Sequence, residues 1–234
     1  MRIAKFVAQA GLCSRREAEK LLLNKKIMIN SIICKNPATK VNNFDVVEIN
    51  GKKITINNEI RLWKFYKPRG LISTTKDPKG RKTIFDILPK SMPRVISIGR
   101  LDINSEGLIL LTNNGDLSRF FELPKNKIIR KYKVRVRGIV NKEKLISLKN
   151  GITIDQIIYK SINAKLIKQS SSNAWIHIIL NEGKNREIRK ICSHFGWNVN
   201  KLIRIEYGNY SIKNLKPGQV TEIKNNSFRK FLDD

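Results

Sequence analysis

The segment RKYKVRVRG, residues 130 to 138, alternates between apolar and cationic side chains with a period of two. Successive side chains of a β-strand point to opposite faces of its sheet, so this spacing predicts a strand. Tyr132, Val134 and Val136 would face the core. Cations occupy the other face: Lys131, Lys133, Arg135 and Arg137. Such a face repels itself unless anions or acidic neighbours meet it.

The sequence around this strand predicts a mixed α+β domain from residue 61 onward. LWKFYK and AWIHIIL are apolar enough for further strands, and NREIRKICSHFG predicts a helix with Asn185 as its N-cap and Gly196 at its end. Two basic turns, KPRG at 67–70 and DPKG at 77–80, would form a positively charged lip. The buried face of the helix would carry Ile188, Ile191 and Cys192.

The first 60 residues predict a separate small module of the ααβ type. Its second helix opens with SRRE, where Ser14 and Glu17 can form a capping box. IMIN and IICK predict a hairpin around Asn30 and Ser31. The short polar stretch INNEIR, residues 56 to 61, suggests a boundary, so we expect domains at 1–60 and 61–234.

The charge of the chain indicates a polyanionic partner. It carries 47 Lys and Arg against 19 Asp and Glu, a formal charge of +28, and a field of that size favours nucleic acid. Part of the excess could be drift in a chain rich in Lys, Asn and Ile. Arginine nevertheless recurs within the motifs, where drift toward lysine would have removed it.

The cysteines and histidines of the chain indicate which cellular compartment and which kinds of catalysis are possible. Cys13, Cys34 and Cys192 are isolated, without the spacing of a zinc site or a disulfide framework, which suggests a reducing cytoplasm. The N-terminus lacks the apolar core of a signal peptide, and no membrane segment is expected. Only His177 and His194 are available for histidine chemistry. We therefore expect no metal and a reaction that depends on carboxylates, hydroxyls and cations.

One carboxylate, Asp102, lies in the middle of the segment SIGRLDINSEGLILLTNNGDL. Cationic surroundings would keep it ionised and usable as a nucleophile or a base. Asp also commonly starts a turn by bonding its own backbone, and the local pattern DINSEG favours that interpretation.

The motifs together resemble the pseudouridine synthases of ribosomal RNA, the RsuA/RluB-type family. GRLDINSEGLILLTNNGDL resembles their catalytic motif, and YKPRG, DPKGRKTIFDILP, KYKVRVRG, EGKNREIRKI and LIRIEYG follow the family's order. The N-terminal SRREAE resembles the RNA-binding domain named after ribosomal protein S-four, although Ser31 replaces the usual glycine. DPKGRKTIFDILP and the Glu of NREIR are most similar to the RluB type, which acts on large-subunit RNA.

This resemblance implies a fold, a reaction and roles for residues. The small N-terminal domain would bind RNA, and a mainly antiparallel sheet with flanking helices would carry catalysis. Asp102 would be the essential carboxylate, Tyr132 would lie against the flipped uracil, and Arg189 would pair with Asp102 or only bind phosphate. No cofactor is implied. Whether Asp102 attacks the sugar, adds to the base or removes a ribose proton stays open.

Further cations would contact RNA. Arg100 would fill the space left by the extruded nucleotide or hold a neighbouring phosphate. The others are Arg15, Arg16, Lys67, Arg69, Arg81, Lys184 and Arg186. We expect a monomeric cytoplasmic enzyme that isomerises one uridine of 23S ribosomal RNA. The alternatives are a 16S-specific enzyme and a non-catalytic RNA-binding assembly factor.

Overall fold

The computed structural model describes residues 1–224, 228 and 231, which form two compact units. The first contains Met1–Arg61 together with Lys90–Ile96 and Asn113–Gly115. The second contains the remaining described residues from Leu62 onward. No helix in the described part of the chain is long and apolar enough to cross a membrane.

The first unit consists of two helices and a four-stranded antiparallel sheet with the order β2-β1-β3-β4. Ser14 caps the second helix as predicted: its Oγ accepts from the Glu17 amide at 3.2 Å, and its own amide donates to Glu17 Oε2 at 2.8 Å. The elements are α1 (Ile3–Gln9), α2 (Arg15–Leu23), β1 (Ile27–Ile29), β2 (Ile32–Ile33), β3 (Val47–Ile49) and β4 (Lys52–Ile54).

The predicted hairpin joins β1 to β2. Asn30 and Ser31 adopt φ angles of 50° and 66°, so the turn forms without the usual glycine. Left-handed backbone is strained for serine. Asn30 compensates locally, because its side chain donates to Asp45 Oδ1 at 2.8 Å and accepts from the Val46 amide at 2.9 Å.

The second unit is built on a nine-stranded mixed sheet, which confirms the predicted fold class. Its strands and those of a separate pair, β9 with β10, are β5 (Leu62–Lys67), β6 (Ile96–Ile98), β7 (Glu106–Thr112), β8 (Arg130–Arg137), β9 (Ile152–Ile154), β10 (Ile157–Tyr159), β11 (Asn163–Gln169), β12 (Asn173–Leu180), β13 (Asn198–Tyr207), β14 (Tyr210–Ser211) and β15 (Val220–Glu222). The helices are α3 (Gly115–Glu122), α4 (Lys142–Ser147) and α5 (Glu187–His194), with 3-10 turns at Phe85–Ile87, Pro124–Asn126 and Leu148–Asn150.

Strands follow the order β11-β12-β8-β13-β7-β5-β15, with β14 on β13 and β6 on β7. Along this order β13 and β7 run parallel, and the other neighbours are antiparallel. The alternation predicted for β8 is confirmed, since Val134 and Val136 are fully buried and the cations between them are not. Strand β8 therefore separates an apolar face from a cationic one.

The parallel contact between β7 and β13 depends on Gly107. This residue has φ 113°, and a Cβ added to it would lie 2.3 Å from the carbonyl oxygen of Arg204. No side chain fits at that distance, so only glycine lets the two backbones approach. The glycine of SEGLIL thereby places the turn that follows Asp102 beside β13.

Helix α5 has the predicted apolar face but a different start. Ile188, Ile191 and Cys192 are buried, and Gly196 follows the helix end with φ 78°. The expectation that Asn185 is the N-cap was wrong. Arg186 holds that position with a left-handed φ of 51° and no side-chain cap, and Glu187 reaches back to accept the Lys184 amide at 2.9 Å.

Candidate active site

A cleft of about 690 Å³ opens in the second unit beside Asp102. Its wall combines the segment after β6, the sheet strands β8, β12 and β13, and the start of α5. Of the residues predicted from sequence for catalysis, Asp102, Tyr132 and Arg189 all line it. A cleft of this size is typical of a binding site for a small group such as one nucleotide.

Asp102 starts a turn and also faces the cleft. Its carbonyl oxygen accepts from the Ser105 amide at 3.0 Å, and the Gly70 amide donates to the carbonyl of Ile103 at 2.8 Å. These backbone bonds fix the loop, while the carboxylate is 32% exposed. The two interpretations of this residue are therefore compatible, because the backbone makes the turn and the side chain stays available.

Two guanidinium groups flank the carboxylate. Its Oδ2 lies 3.8 Å from Arg189 Nε and 3.9 Å from Arg186 Nη1. These are ion-pair distances beyond hydrogen-bonding range, so the oxygen keeps its lone pairs. The structure thus brings Arg186, expected only as an RNA contact, next to Asp102 from its position at the N-cap of α5.

The protein itself holds Arg189 in place. Its Nη2 donates to the Asn104 carbonyl at 3.0 Å and to Ser105 Oγ at 3.3 Å, and its Nη1 donates to the Val199 carbonyl at 3.4 Å. Burial lowers the pKa of Arg189, and the charge of Asp102 opposes that shift. Arginine stays protonated under such conditions. Its guanidinium therefore ties the Asp102 loop to helix α5 and supplies a fixed positive charge.

Tyr132 contributes an aromatic wall. It lies on β8 opposite Arg204 of β13 and is 7% exposed, on the same side of the sheet as the cleft-lining Leu180 and Leu202. Its ring is thus packed in the core and also borders the cleft. The packing interpretation and the site interpretation describe the same position.

Lys67 was predicted to contact RNA, but the structure gives it another role. Its side chain is fully buried, and its ammonium donates to the carbonyl oxygens of Pro68 at 3.1 Å, Asp102 at 3.1 Å and Ser105 at 2.8 Å. Burial lowers its pKa to about 8, with Asp102 and Glu106 opposing the shift. An ammonium has three donors, and all three are used. Lys67 therefore supports the Asp102 turn and does not contact phosphate.

Arg204 is a cleft residue that the sequence reasoning missed. It is 2% exposed, its Nε donates to the Leu108 carbonyl at 2.7 Å, and its guanidinium lies 4.7 Å from the centre of the Tyr207 ring. Its Nη2 has no hydrogen-bond partner among the described residues. The segment LIRIEYG was recognised, but nothing in its pattern signals that this arginine points inward.

Glu187 is a second missed residue. It is 4% exposed, lines the cleft, and has a pKa raised to about 7. Burial is the main cause; the hydrogen bond from the Lys184 amide opposes it, and the charge of Glu182 adds to it. A carboxyl group that titrates near neutrality thus lies in the same wall as Arg186 and Arg189.

The remaining predicted RNA contacts fall at several places. Arg100 and Lys184 line the cleft, but the Lys184 ammonium also donates to the Ile158 carbonyl and pairs with Glu182 at 3.4 Å. Arg69 is exposed on the KPRG turn, and its charge acts on Arg189. Arg15 and Arg16 are exposed at the start of α2 in the first unit.

Arg81 is tied to its own turn. Its Nε and Nη2 donate to the two carboxylate oxygens of Asp77 at 3.0 and 2.9 Å, and these bonds lower the pKa of Asp77 to about 2. The side chain stays half exposed. In the described part of the chain, no group of three or more His, Cys, Asp or Glu side chains is placed to hold a metal ion.

Two family models match the chain. Residues 61–194 match the RNA pseudouridylate synthase model, and residues 1–47 match the S4 domain model. Among solved structures, a crystal structure of a pseudouridylate synthase superposes with a TM-score of 0.68, at 23% identity and with 99% of each chain covered. That likeness shows a shared fold.

Relatives of similar length match almost end to end. A Rickettsia felis protein described as an uncharacterized RNA pseudouridine synthase is 51% identical over 229 residues, covering 98% of this chain and 99% of that protein. The ribosomal large subunit pseudouridine synthase B of Bacillus subtilis is 35% identical, with 95% and 91% covered. The protein of the same name from Buchnera aphidicola is 39% identical, with 97% and 94% covered.

Proposed function

The chain belongs to the RNA pseudouridylate synthase family, and we propose that it converts one uridine of large-subunit ribosomal RNA to pseudouridine. Membership confirms the resemblance inferred from the motifs and makes the protein a pseudouridine synthase. Support for the large-subunit substrate comes from the names of the Bacillus subtilis and Buchnera aphidicola relatives. The observation that carries the assignment of the site is Asp102, a partly exposed carboxylate flanked by Arg186 and Arg189.

The reaction breaks the bond between uracil N1 and ribose C1′, turns the base, and joins C5 to C1′. The proton on C5 is released and N1 gains one, so the product is an isomer and no redox step is needed. Attack on the sugar, addition to the base and removal of a ribose proton all require a carboxylate oxygen with an accessible lone pair. Asp102 Oδ2, 3.8 Å or more from both guanidinium groups, meets that requirement.

Arg189 acts as the positioning cation in this proposal. Its bonds to the Asn104 carbonyl and Ser105 Oγ fix it against the loop that carries Asp102. A fixed positive charge close to the carboxylate orients it for reaction without occupying its Oδ2 in a short hydrogen bond. Arg186 adds a second charge from the exposed side of the cleft.

A uridine within paired RNA must leave its stack before Asp102 reaches it, at a cost of about a few kcal/mol. Tyr132 would then lie against the flipped uracil. Arg100, exposed at the cleft, would fill the vacated space or hold the adjoining phosphate. Arg69 and Lys184 would contact flanking phosphates, and Arg81 would do so from its Asp77-bound position.

The first 60 residues would dock the structured RNA through the exposed Arg15 and Arg16, while residues 61–234 would carry catalysis. The match of residues 1–47 to the S4 domain model supports this division. Because Asp102, Tyr132 and Arg189 come from one chain, a monomer suffices. We place the enzyme in the cytoplasm, where ribosomal RNA is its substrate.

The test is pseudouridine mapping by carbodiimide-dependent primer extension on both ribosomal RNAs. Strains lacking the protein, expressing it, or expressing Asp102→Asn are compared. We expect one 23S position to depend on the intact protein and to be lost with Asp102→Asn. A 16S position instead would give the small-subunit alternative, and no dependent position on either RNA would favour a non-catalytic assembly factor.

A further inference from the structure

The side of the sheet that faces away from Tyr132 carries a group of cations that the proposed active site does not use. We call it the cationic sheet face. It spans four adjacent strands, and its cations are Lys131, Lys133, Arg135, Arg137, Lys165, Lys168 and Lys201. The same face also carries Trp175 and His177. Tyr132 points into the cleft from β8, and its neighbours on the strand point the opposite way. The face is therefore separate from the cleft.

The strand register interleaves aromatic rings with these charges. Arg135 lies opposite Trp175, which lies opposite Lys168. Two residues further along the same strands, Lys133 lies opposite His177, which lies opposite Lys165. The Lys133 ammonium also lies 4.8 Å from the centre of the Trp175 ring. The result is a row of positive charge on each side of two partly exposed rings.

Carboxylates compensate little of this charge. Glu206 pairs with Lys131 at 3.3 Å, and Glu106 pairs with Lys201 at 3.0 Å. Within the described residues, Arg135, Arg137, Lys165 and Lys168 form no ion pair, and all four are exposed. Arg135 also lies directly opposite Lys201. Like charges facing each other across strands destabilise a sheet, so the free protein carries a cost that bound anions would relieve.

The charges of this face act on the pKa of His177. Its pKa is lowered first by burial and then by Lys131 and Lys133, with Glu206 acting the other way and Lys165 adding to the lowering. Cations on β8 and β11 thus act on a ring of the strand between them. Kept neutral, that ring can contact a base without adding to the repulsion.

We propose that the cationic sheet face is a second RNA-binding surface. It takes the phosphates of an RNA strand against Arg135, Arg137, Lys165 and Lys168, and an unpaired base against Trp175. Surfaces that bind single strands combine these two features, a positive track for the backbone and aromatic side chains for stacking. Alternate residues of β8 are about 6.6 Å apart, so its four cations span about 20 Å, enough for several nucleotides.

This surface extends the protein's contact with its RNA substrate beyond the cleft. Its existence rests on RNA being the substrate and not on which uridine is modified. The RNA it binds is a segment that flanks the target, or the same strand continued past the sheet edge at β11. It supplies affinity and register without touching the reacting base.

Trp175 gives a direct optical test. The chain has three tryptophans, and Trp63 and Trp197 are 3% and 4% exposed, so a quencher in solvent reaches Trp175 first. An oligouridylate of about twelve nucleotides, within the span that such surfaces cover, should quench the emission of Asp102→Asn protein and protect it from acrylamide. Trp175→Phe should abolish that change. Emission that does not respond to saturating RNA would overturn the stacking contact.

A charge test uses matched variants. Arg135, Arg137, Lys165 and Lys168 are changed together to Gln, and the control changes the exposed Lys125, Lys142, Lys213 and Lys216 to Gln. We expect the first variant to bind 23S transcript at least about tenfold more weakly, with its salt slope reduced by about 3, and the control to change little. Equal losses of RNA affinity in the two variants would mean that only the net charge of the protein matters, and this would overturn the proposal.

Both assays use Asp102→Asn protein and measure binding alone, so they do not depend on whether uridine is isomerised, and the charge test is repeated with 16S transcript if the modified position lies there. A 16S target would therefore leave the proposal standing if the face still binds RNA. An unchanged RNA affinity in the four-residue variant would overturn it and point to an acidic protein partner. Melting curves of each variant establish that it is folded.

Discussion

The ammonium of Lys67 donates a hydrogen bond of 3.1 Å to the main-chain carbonyl of Asp102. The same ammonium binds the carbonyl of Ser105 at 2.8 Å, so it joins both ends of the turn that presents the carboxylate. Arg189 also holds that turn, by donating to the Asn104 carbonyl and to Ser105 Oγ. Two buried or largely buried cations thus fix the backbone of the loop that carries Asp102, while its carboxylate makes only long ion pairs with the residues that the structure describes.

Lys67→Met should impair both stability and catalysis. The substitution keeps the length of the side chain but removes the ammonium from three carbonyl oxygens, of which Asp102's keeps the Ser105 amide, at a cost of about 1–3 kcal/mol in the free energy of unfolding. Asp102 would then be less well placed, and turnover should fall at least about tenfold. Urea unfolding and single-turnover assays measure the two effects. Exposed Lys213→Met is the control, and unchanged turnover in Lys67→Met would contradict the role of Lys67.

Asp102→Asn should abolish isomerisation and leave RNA affinity nearly unchanged. The amide keeps the size and the turn but cannot act as a nucleophile or a base, so turnover should fall by about 10³-fold or more. Release of tritium from C5-labelled uridine in ribosomal RNA measures turnover, and filter binding measures affinity. Asp155→Asn, an exposed carboxylate whose φ of 49° asparagine tolerates, is the matched charge control. A comparable loss of binding would make Asp102 structural.

Local patterns in the sequence predicted much of this fold. The period of two in residues 130–138 gave both faces of β8, and SRRE gave the capping box at Ser14. Both signals are short range, because each depends on residues within one strand or one turn. The link between Arg81 and Asp77 was of the same kind and was available from DPKGR, where the two residues are four apart.

The supports of the candidate site were not predictable in this way. Lys67 and Ser105 are 38 residues apart, and Arg204 and Leu108 are 96 apart. A basic residue is normally exposed, so its burial follows only once the strands have paired and supplied carbonyl partners. The error at Asn185 concerns the exact start of α5: the helix begins one residue later than the pattern predicts, with Arg186 in the left-handed region at its N-cap.

Glu187→Gln should remove a pH-dependent part of the stability. In the unfolded chain a glutamate releases its proton near its ordinary pKa of 4.5, while folded Glu187 holds its proton to about pH 7. The folded state binds the extra proton between these values, so this contribution to stability falls as pH rises through that window. The advantage of the Gln variant should thus grow by up to about 3 kcal/mol between pH 4 and pH 8.

Unfolding in urea at several pH values, for wild type, Glu187→Gln and Glu143→Gln, measures this difference. Glu143 is exposed on α4 and should show no such trend. Parallel pH curves for wild type and Glu187→Gln would contradict the raised pKa of Glu187.

Gly107→Ala should destabilise the second unit far more than Gly138→Ala. Both glycines have positive φ angles, 113° and 107°, which strain alanine, but a Cβ at 107 meets the Arg204 carbonyl at 2.3 Å whereas one at 138 meets nothing within 4 Å. The strain alone costs about 1–3 kcal/mol. Separation of β7 from β13 should add more, so the Tm of Gly107→Ala should fall further than that of Gly138→Ala and only Gly107→Ala should lose turnover. Equal Tm shifts would mean that the close approach is not required.

Arg15→Gln with Arg16→Gln should weaken RNA capture and spare the chemical step. Both side chains are exposed in the first turn of α2, where positive charge is unfavourable to the helix, so their loss should not lower stability. If they contact phosphate, the KM for 23S transcript should rise several-fold and the salt slope should fall by about 1–2, with kcat unchanged. Lys52→Gln with Lys53→Gln, exposed on β4 of the same unit, is the control. An unaltered KM in the arginine variant would remove the docking role from this helix. An equal rise of KM in both variants would assign the effect to the loss of two charges and not to these arginines.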